Sequence, residues 1–166
     1  MKKGRLIVLE GGEGAGKSTQ ARFICEWLAA QGRDPVATRE PGGSKLAEAI
    51  RELVLRDWEE GVNGTTELLL MFAARAAHLQ ATILPALQAG QDVVCDRFLD
   101  ATYAYQGAGR GVRGADIDLL AKLVLKRLRP DLVILLDVNP AVGVRRAQAR
   151  GVANRFYVDA LAFQTR

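Results

Sequence analysis

Cysteine and histidine are scarce in this chain. Its 166 residues include 2 cysteines and 1 histidine, and their positions do not have the spacing of a zinc site. Cys25 and Cys95 each lie in an apolar segment, and two buried thiols favour a reducing compartment over a disulfide. We therefore expect a cytoplasmic protein without a cysteine-based metal site.

Long hydrophobic runs are also missing. The first apolar stretch, residues 6–9, ends at Glu10 and is too short for the core of a signal peptide. No apolar run reaches the length of a membrane span, so we expect no membrane association. The formal net charge is +4, but the arginines are scattered and no lysine-rich block occurs. A basic pocket for two polyphosphate ligands explains this charge better than a nucleic-acid partner does.

Apolar runs alternate with amphipathic stretches, a pattern typical of a parallel sheet in an α/β protein. With 49% apolar and 25% charged residues, the chain suits a single domain over residues 1–166, with helices on both faces of the sheet. The predicted strands are 6–10, 36–38, 93–95 and 132–137. The predicted helices are 17–31, 45–55, 66–88, 115–128 and 140–149. Loops rich in glycine and proline are predicted at 40–43 and 106–109.

The first predicted helix has apolar residues at helical spacing, namely Phe23, Ile24, Trp27 and Leu28. Gly32 follows it at a position typical of a C-cap glycine. The helix is preceded by a short apolar strand and by a glycine-rich loop, residues 11–18. This order of strand, loop and helix is the context that a phosphate-binding loop requires.

Residues 11–18 read Gly-Gly-Glu-Gly-Ala-Gly-Lys-Ser, a complete G-x-x-x-x-G-K-[ST] motif. Glycines let backbone N–H groups close around phosphate oxygens, and the helix N-terminus adds the positive end of its dipole. The lysine supplies a mobile charge, and the serine hydroxyl is a ligand for Mg²⁺. The residues predicted to bind the phosphates of a nucleotide are Gly11, Gly12, Glu13, Gly14, Ala15, Gly16, Lys17, Ser18 and Thr19.

The rest of the sequence narrows the class of phosphate-loop protein. The Asn-Lys-x-Asp and Asp-x-x-Gly motifs of GTPases do not occur, and no strand ends in the Asp-Glu of motor and AAA ATPases. Instead, Asp96 at a strand end is followed directly by Arg97. An arginine there suits a second anion beside the phosphate loop, which indicates a kinase with a phosphorylated acceptor.

Four further segments carry a family resemblance: Arg-Glu-Pro-Gly-Gly at 39–43, Glu-Leu-Leu-Leu-Met-Phe-Ala-Ala-Arg at 67–75, Asp-Arg-Phe-Leu-Asp-Ala-Thr-Tyr-Ala-Tyr-Gln-Gly at 96–107, and Ala-Arg-Gly at 149–151. Together with the phosphate loop they resemble bacterial thymidylate kinases, from the first strand to about residue 163. The resemblance implies the P-loop NTPase fold, phosphorylation of dTMP by ATP with Mg²⁺, and a homodimer.

At the base end of dTMP, the resemblance implies that Phe72 stacks on thymine and that Arg75 hydrogen-bonds it. Thr102 and Gln106 resemble the polar residues around the thymine edge. From the residues alone, a place in the hydrophobic core is the more ordinary interpretation of Phe72, and the resemblance reverses it. His78 has no role in the resemblance, and a satisfied or exposed helix histidine is the ordinary interpretation.

At the sugar and phosphate end, Tyr105 resembles the aromatic residue that crowds the sugar C2′ and disfavours a 2′-hydroxyl. Glu13 resembles the acid that contacts the 3′-hydroxyl. Arg97 resembles the clamp on the dTMP phosphate, for which a bidentate guanidinium is suitable. Arg39 and Arg51 are expected to assist it.

The expected chemistry is in-line phosphoryl transfer, in which the attacking phosphate oxygen is already anionic. Lys17, Arg97 and Mg²⁺ held through Ser18 share the charge, and Asp96 orients Arg97 or metal-bound water. The phosphate loop lacks a basic residue at its variable positions, so the resemblance implies that a lid supplies the remaining cation.

The predicted lid spans about residues 149–157, with Arg150 and Arg155 as its catalytic arginines. It departs from the family pattern, because Tyr157 follows Phe156 where an acidic residue is usual. The last strand and helix of the family are also expected to be absent. The alternatives are another nucleoside or nucleotide kinase of the same fold, or a nucleotide-binding module without catalytic turnover.

Overall fold

Four parallel strands form the centre of the fold. The structure is a computed structural model in which residues 3–149 are described. Within that range the strands are β1 (Leu6–Gly11), β2 (Val36–Arg39), β3 (Val93–Asp96) and β4 (Leu132–Leu136). Their order in the sheet is β2-β3-β1-β4, and each neighbouring pair is parallel. The predicted strands are therefore confirmed to within one residue at each end.

Helices cover both faces of the sheet, as predicted, because β1 is apolar on both sides. Leu6 and Val8 belong to one core cluster, whereas Ile7 and Leu9 belong to a second cluster on the opposite face. Successive side chains of a strand point to opposite faces, so a strand with four apolar residues in a row needs cover on both.

The helices and turns follow in chain order. The α-helices are α1 (Lys17–Ala30), α2 (Lys45–Leu55), α3 (Gly64–His78), α4 (Leu84–Gln88), α5 (Leu99–Thr102), α6 (Gly114–Leu125) and α7 (Pro140–Ala149). A π-helical turn, Leu79–Ile83, joins α3 to α4, and a second one, Tyr103–Gly109, follows α5. Core residues of the first face come mainly from α3, α4, α6 and the first π-turn, and α1 covers the second face.

The predictions of regular structure at 66–88 and 106–109 need correction. The single helix predicted at 66–88 is interrupted by the π-helical turn, which precedes Pro85 in the first turn of α4. Proline cannot donate the i→i−4 hydrogen bond, and a wider turn accommodates its ring. The loop predicted at 106–109 is instead the end of the second π-helical turn.

The apolar face predicted for α1 is also only partly correct. Leu28 is buried and Ile24 packs against the core, but Phe23 and Trp27 are 59% and 55% exposed. Gly32 has a φ of 74°, as predicted for a residue just past a helix end. Both cysteines are free thiols, although Cys25 is only half-buried.

The run Gly64–Gln88 is long and apolar enough to cross a membrane when judged by length and composition alone. In the fold, however, it supplies Leu68, Phe72, Leu79 and Ile83 to the main core cluster. It also carries buried ionisable side chains on α3. The run is therefore packed as a central helix of the domain.

A buried carboxylate holds the amino ends of the strands together. Asp92 is fully buried before β3 and accepts hydrogen bonds from the Arg5 backbone N–H at 2.9 Å and from the Arg33 guanidinium at 2.8 Å. Burial alone would raise the pKa of Asp92, but the hydrogen bonds from Arg5 and Arg33 hold it at about 2. The folded pKa lies below the ordinary value of 3.8, so Asp92 stabilises the fold above that pH.

We predict that Asp92→Asn lowers the free energy of unfolding at pH 7 by about 2 kcal/mol, from the size of the pKa shift. The stability that wild type loses as the pH falls from about 4 to about 2 should be missing from the variant. Urea unfolding at several pH values measures both effects. Glu26→Gln, on the exposed side of α1, is the control and should change neither.

Candidate active site

The phosphate loop connects β1 to α1 through three glycines with positive φ. Gly11, Gly14 and Gly16 have φ values of 141°, 71° and 95°, where other residues are strained. A Cβ atom at Gly14 would also lie 2.1 Å from the Gly143 carbonyl oxygen on α7. The glycines of the motif are therefore needed for the backbone path and for close packing against α7.

Lys17 is buried at the first position of α1, beneath this loop. Its Nζ donates hydrogen bonds to the carbonyl oxygens of Gly11 at 3.0 Å and Gly12 at 2.7 Å. Burial, followed by the charge of Arg97, lowers the pKa of Lys17 to about 8. An anion bound in the loop would favour the charged ammonium, so the site is prepared for phosphate.

Ser18 and Asp96 meet where β3 ends beside the loop. The Ser18 hydroxyl donates to Asp96 Oδ2 at 2.8 Å. Both side chains line a polar cavity with Lys17, while Thr19 is exposed in the first turn of α1. A hydroxyl and a carboxylate are oxygen ligands of the kind that Mg²⁺ prefers.

Arg97 joins the phosphate loop to the rest of the site. Its backbone has a φ of 71°, and its N–H donates to the Leu9 carbonyl oxygen at 2.8 Å. Its guanidinium donates to the Gly11 carbonyl oxygen at 3.1 Å and to Glu13 Oε1 at 2.6 Å. Its Cζ lies 5.1 Å from the centre of the Tyr105 ring, within reach of a cation–π contact. A strained backbone thus holds the Arg97 side chain against Gly11 and Glu13 of the phosphate loop.

Glu10, which the sequence did not single out, supports this backbone. It is buried, and its Oε1 accepts hydrogen bonds from the N–H groups of Phe98 at 2.8 Å and Ala101 at 3.4 Å. Burial raises the pKa of Glu10, although those bonds oppose the shift. The carboxylate therefore caps α5 and secures the residue after Arg97.

A polar cavity opens in front of the loop. Four cationic side chains face it, and the carboxylates of Glu13, Glu40 and Asp96 lie among them. The cationic residues are Lys17, Arg39, Arg51 and Arg97. Burial, and next the charge of Arg39, lowers the pKa of Arg51. Arg39 itself is exposed and pairs with Glu48 at 3.0 Å. The surplus of positive charge suits a site for several phosphates.

An apolar cavity adjoins the polar one. Glu13, Glu40, Arg51 and Arg97 line both cavities. Its other walls are Pro41, Val54, Leu55, Met71, Phe98, Ala101, Tyr105 and Gln106. The pair of cavities thus forms one depression with a charged end and an apolar end, which matches a nucleoside monophosphate in chemistry.

Arg75 is held rigidly behind the apolar cavity. It is 1% exposed, and its Nε donates to Glu40 Oε2 at 2.7 Å. One terminal nitrogen, Nη2, donates to the Phe98 carbonyl oxygen at 2.9 Å and to Thr102 Oγ1 at 3.0 Å. The other, Nη1, has no hydrogen-bond partner among residues 3–149. A buried donor left in this state fits an acceptor supplied by a ligand.

Gln106 offers the complementary group. Its Nε2 donates to the buried Glu67 Oε1 at 2.7 Å, and its Oε1 has no partner within the described part of the chain. Arg75 thus offers one unpaired donor and Gln106 one unpaired acceptor. The structure thus brings together three of the residues predicted around the base, Arg75, Thr102 and Gln106.

Phe72, the residue predicted to stack on thymine, lies in the hydrophobic core. It is 3% exposed and belongs to the main core cluster, with the Arg75 guanidinium 4.9 Å from its ring centre. The residue on this turn of α3 that lines the apolar cavity is Met71, which the sequence reasoning missed. Met71 directly precedes Phe72 in the sequence, and the two differ only in the direction in which their side chains leave the helix axis. The stacking role of Phe72 stays a prediction.

The predicted lid, residues 149–157, falls almost entirely beyond the described residues, and Arg150 and Arg155 lie outside them. What the structure describes is the approach to it. Gly143 of α7 lies against the loop, since a Cβ there would be 2.2 Å from the Glu13 carbonyl oxygen. The helix that precedes the predicted lid therefore packs on the phosphate loop.

Comparison with known proteins agrees with this geometry. The family model for thymidylate kinase matches residues 9–166. The chain is 53% identical to a thymidylate kinase of Hahella chejuensis over 163 residues, which are 98% of this chain and 78% of the relative. It is 54% identical over 165 residues to one of Chromohalobacter salexigens, with the same two shares covered.

A solved structure gives the same result. The crystal structure of thymidylate kinase from Ehrlichia chaffeensis superimposes with a TM-score of 0.77 at 36% identity, covering 89% of this chain and 83% of that one. The family model and the relatives match nearly the whole chain, and the phosphate loop and the paired cavities are consistent with those matches. The chain belongs to the thymidylate kinase family.

Proposed function

We propose that the chain transfers the γ-phosphoryl group of ATP to dTMP in the cytoplasm, giving dTDP and ADP. The reaction is that of the family to which the chain belongs. The observation that carries the assignment of residues is the shared wall of the two cavities. Glu13, Arg51 and Arg97 line both, so a ligand with its phosphate at the charged end places its base at the apolar end.

Catalysis in this arrangement rests on charge and position. The attacking oxygen of dTMP is already anionic, so the site needs no strong general base. Arg97 binds the dTMP phosphate through its planar guanidinium, and Lys17 neutralises charge on the ATP phosphates. Arg39 and Arg51 add positive charge at the rim of the polar cavity. The loop residues 11–16, with Ser18 and Thr19, surround the ATP phosphates.

Mg²⁺ fits beside Ser18 and Asp96. The two side chains are hydrogen-bonded to each other on the wall of the phosphate cavity, and their oxygen atoms would hold the ion. Among residues 3–149 no cluster of three or more acidic, histidine or cysteine side chains could enclose a metal ion. In kinases Mg²⁺ is usually bound mainly by substrate phosphates and water. When bound, it would neutralise charge on the transferred group.

The sugar lies between Glu13 and Tyr105 in this proposal. The Glu13 carboxylate, held by Arg97, accepts a hydrogen bond from the 3′-hydroxyl. The Tyr105 ring lines the apolar cavity beside Arg97 and fills the space that a 2′-hydroxyl would need. Burial raises the pKa of Tyr105, so its hydroxyl stays a neutral group at physiological pH.

The base is read by donors and acceptors that the protein leaves unpaired. Arg75 Nη1 donates to a thymine carbonyl oxygen, and the Gln106 amide accepts from the ring N–H. Thr102 keeps Arg75 in place through the bond to Nη2. Met71 supplies the apolar surface beneath the base, with Phe72 packed behind it. Arg150 and Arg155 complete the site as lid cations that act on the transferred phosphoryl group.

The first test concerns the phosphate loop. Lys17→Ala should lower kcat/KM for dTMP phosphorylation at least about 100-fold, because it removes a preorganised charge. A coupled assay of ADP release with dTMP, dUMP, dCMP and AMP measures the effect and the base preference together. Lys3→Ala is the control, since Lys3 is an exposed lysine before β1. Retention of more than about a tenth of wild-type activity by Lys17→Ala would contradict the mechanism.

The second test separates Met71 from Phe72. Met71→Ala should raise KM for dTMP about 5- to 30-fold, the value of one apolar contact with the base, and leave KM for ATP within about twofold. Phe72→Leu should instead lower Tm and leave KM for dTMP nearly unchanged. If Phe72→Leu weakened dTMP binding without a loss of Tm, the stacking residue would be Phe72.

The third test concerns assembly. We propose a homodimer that forms through α6, where Leu119 and Leu123 are 66% and 70% exposed one turn apart. Leu69 is 53% exposed on α3, the helix against which α6 packs. A second copy of the chain is the occupant that the family resemblance implies.

The double variant Leu119→Glu with Leu123→Glu should be a monomer in light scattering, because two charges would be buried at the interface. Trp27→Glu is the matched control, since Trp27 is 55% exposed on a helix of the opposite face. If the wild type were monomeric at micromolar concentration, the proposed dimer would not exist. If Trp27→Glu alone dissociated the dimer, the interface would lie elsewhere.

A further inference from the structure

Glu40 has both carboxylate oxygens engaged by side chains from one helix. Arg75 Nε donates to Oε2 at 2.7 Å, and His78 Nδ1 lies 3.2 Å from Oε1. Arg75 and His78 are three residues apart on α3, and all three side chains are at most 2% exposed. Glu40 is therefore fixed in rotation as well as in position, since each oxygen has its own partner.

The histidine is anchored at its other end as well. His78 Nε2 lies 2.7 Å from Thr38 Oγ1 on β2. A carboxylate only accepts hydrogen bonds, so Nδ1 carries the hydrogen shared with Glu40. The Thr38 hydroxyl can donate to Nε2 or accept from it, and so fits the ring in either protonation state. His78 thus bridges β2 to the carboxylate that holds Arg75.

The loop between β2 and α2 is shaped around this ring. Gly43 has a φ of 81°, and a Cβ there would lie 2.3 Å from His78 Nε2 and 2.4 Å from Thr38 Oγ1. The Gly43 carbonyl oxygen accepts a hydrogen bond from Thr82 Oγ1 at 2.7 Å. Absence of a side chain at residue 43 is therefore a condition for the histidine bridge, and the π-helical turn after α3 secures the same loop.

These contacts converge on one donor. Arg75 uses Nε for Glu40 and Nη2 for Phe98 and Thr102, which leaves Nη1 for a ligand. The direction of Nη1 depends on the plane of the guanidinium, and that plane depends on Glu40. If His78 were replaced by an apolar residue, Glu40 Oε1 would be buried without a donor and would turn toward the arginine.

We propose that His78 is a positioning residue that sets base specificity through Glu40 and Arg75. The inference rests on the proposed role of Arg75 in reading the base. An arginine N–H donates only, so a correctly placed Nη1 favours a ring carbonyl oxygen, as in thymine. The amino group of cytosine at the same ring position presents hydrogens and is rejected. Loss of the histidine loosens this choice without touching the ATP side.

The experiment compares two replacements of the histidine. His78→Leu keeps much of the volume but cannot donate to Glu40, whereas the amide nitrogen of His78→Asn can take the place of Nδ1. Steady-state kinetics with dTMP, dCMP and ATP give the ratio of kcat/KM for dTMP over dCMP and the separate KM values. Thermal unfolding of each variant gives Tm.

For His78→Leu we expect KM for dTMP to rise about 5- to 50-fold and the dTMP/dCMP ratio to fall about tenfold, the scale of one buried hydrogen bond. KM for ATP should stay within about twofold. His78→Asn should restore most of the ratio. Thr38→Val, at the half-buried end of the bridge, should lower the ratio in the same direction but less, and it tests the inference even if His78→Leu fails to fold.

A double-variant cycle tests whether His78 acts on base specificity through Arg75. Arg75→Met removes the reading donor, and adding His78→Asn or His78→Leu to it should change the dTMP/dCMP ratio no further. A lower Tm with an unchanged ratio in His78→Leu and Thr38→Val would make the bridge purely structural and overturn the inference. A ratio that falls equally with and without Arg75 would overturn it as well. If wild type showed no preference for dTMP over dCMP, the proposed base reading itself would fail.

Discussion

The junction between the carboxyl ends of β1 and β3 is the constraint on which the rest of the site depends. Arg97 leaves β3 with a left-handed backbone, bonds to Leu9 through its N–H, and reaches Gly11 and Glu13 with its guanidinium. Glu10 on β1 fixes the residue that follows. Hydrogen bonds between adjacent strand ends thus fix the position of the phosphate loop relative to the two cavities that Arg97 and Glu13 line.

Buried ionisable side chains are concentrated on α3. Glu67, Arg75 and His78 are each at most 1% exposed, inside a helix that otherwise feeds the hydrophobic core. Burial of ions is costly unless each is paired, and here Glu40 and Gln106 supply the partners. Arg75 Nη1 and Gln106 Oε1 have no hydrogen-bond partner among residues 3–149, and Gln106 lines the apolar cavity. Burial of these ionisable side chains lowers the stability of the fold but fixes a pattern of hydrogen-bond donors and acceptors.

Much of the fold could be predicted from the sequence, because the relevant signals are local. Strands of four to six residues were located within one residue, and the parallel sheet followed from their alternation with helices. The π-helical turns were missed, since their hydrogen-bond shift has no clear sequence mark beyond Pro85. The apolar face of α1 was also wrong at Phe23 and Trp27, because periodicity does not say how wide the buried stripe is.

In the site, the sequence by itself determined the phosphate loop, since its glycines, lysine and serine act within eight consecutive residues. It also singled out Asp96, the last residue of β3, and Arg97, which follows it directly. Only the tertiary structure decided which residue on a turn of α3 faces the cavity, and that Glu40 and His78 stand behind Arg75. These contacts join residues up to 38 positions apart. Local sequence patterns cannot predict these contacts, because only the folded chain brings the end of β2 beside α3.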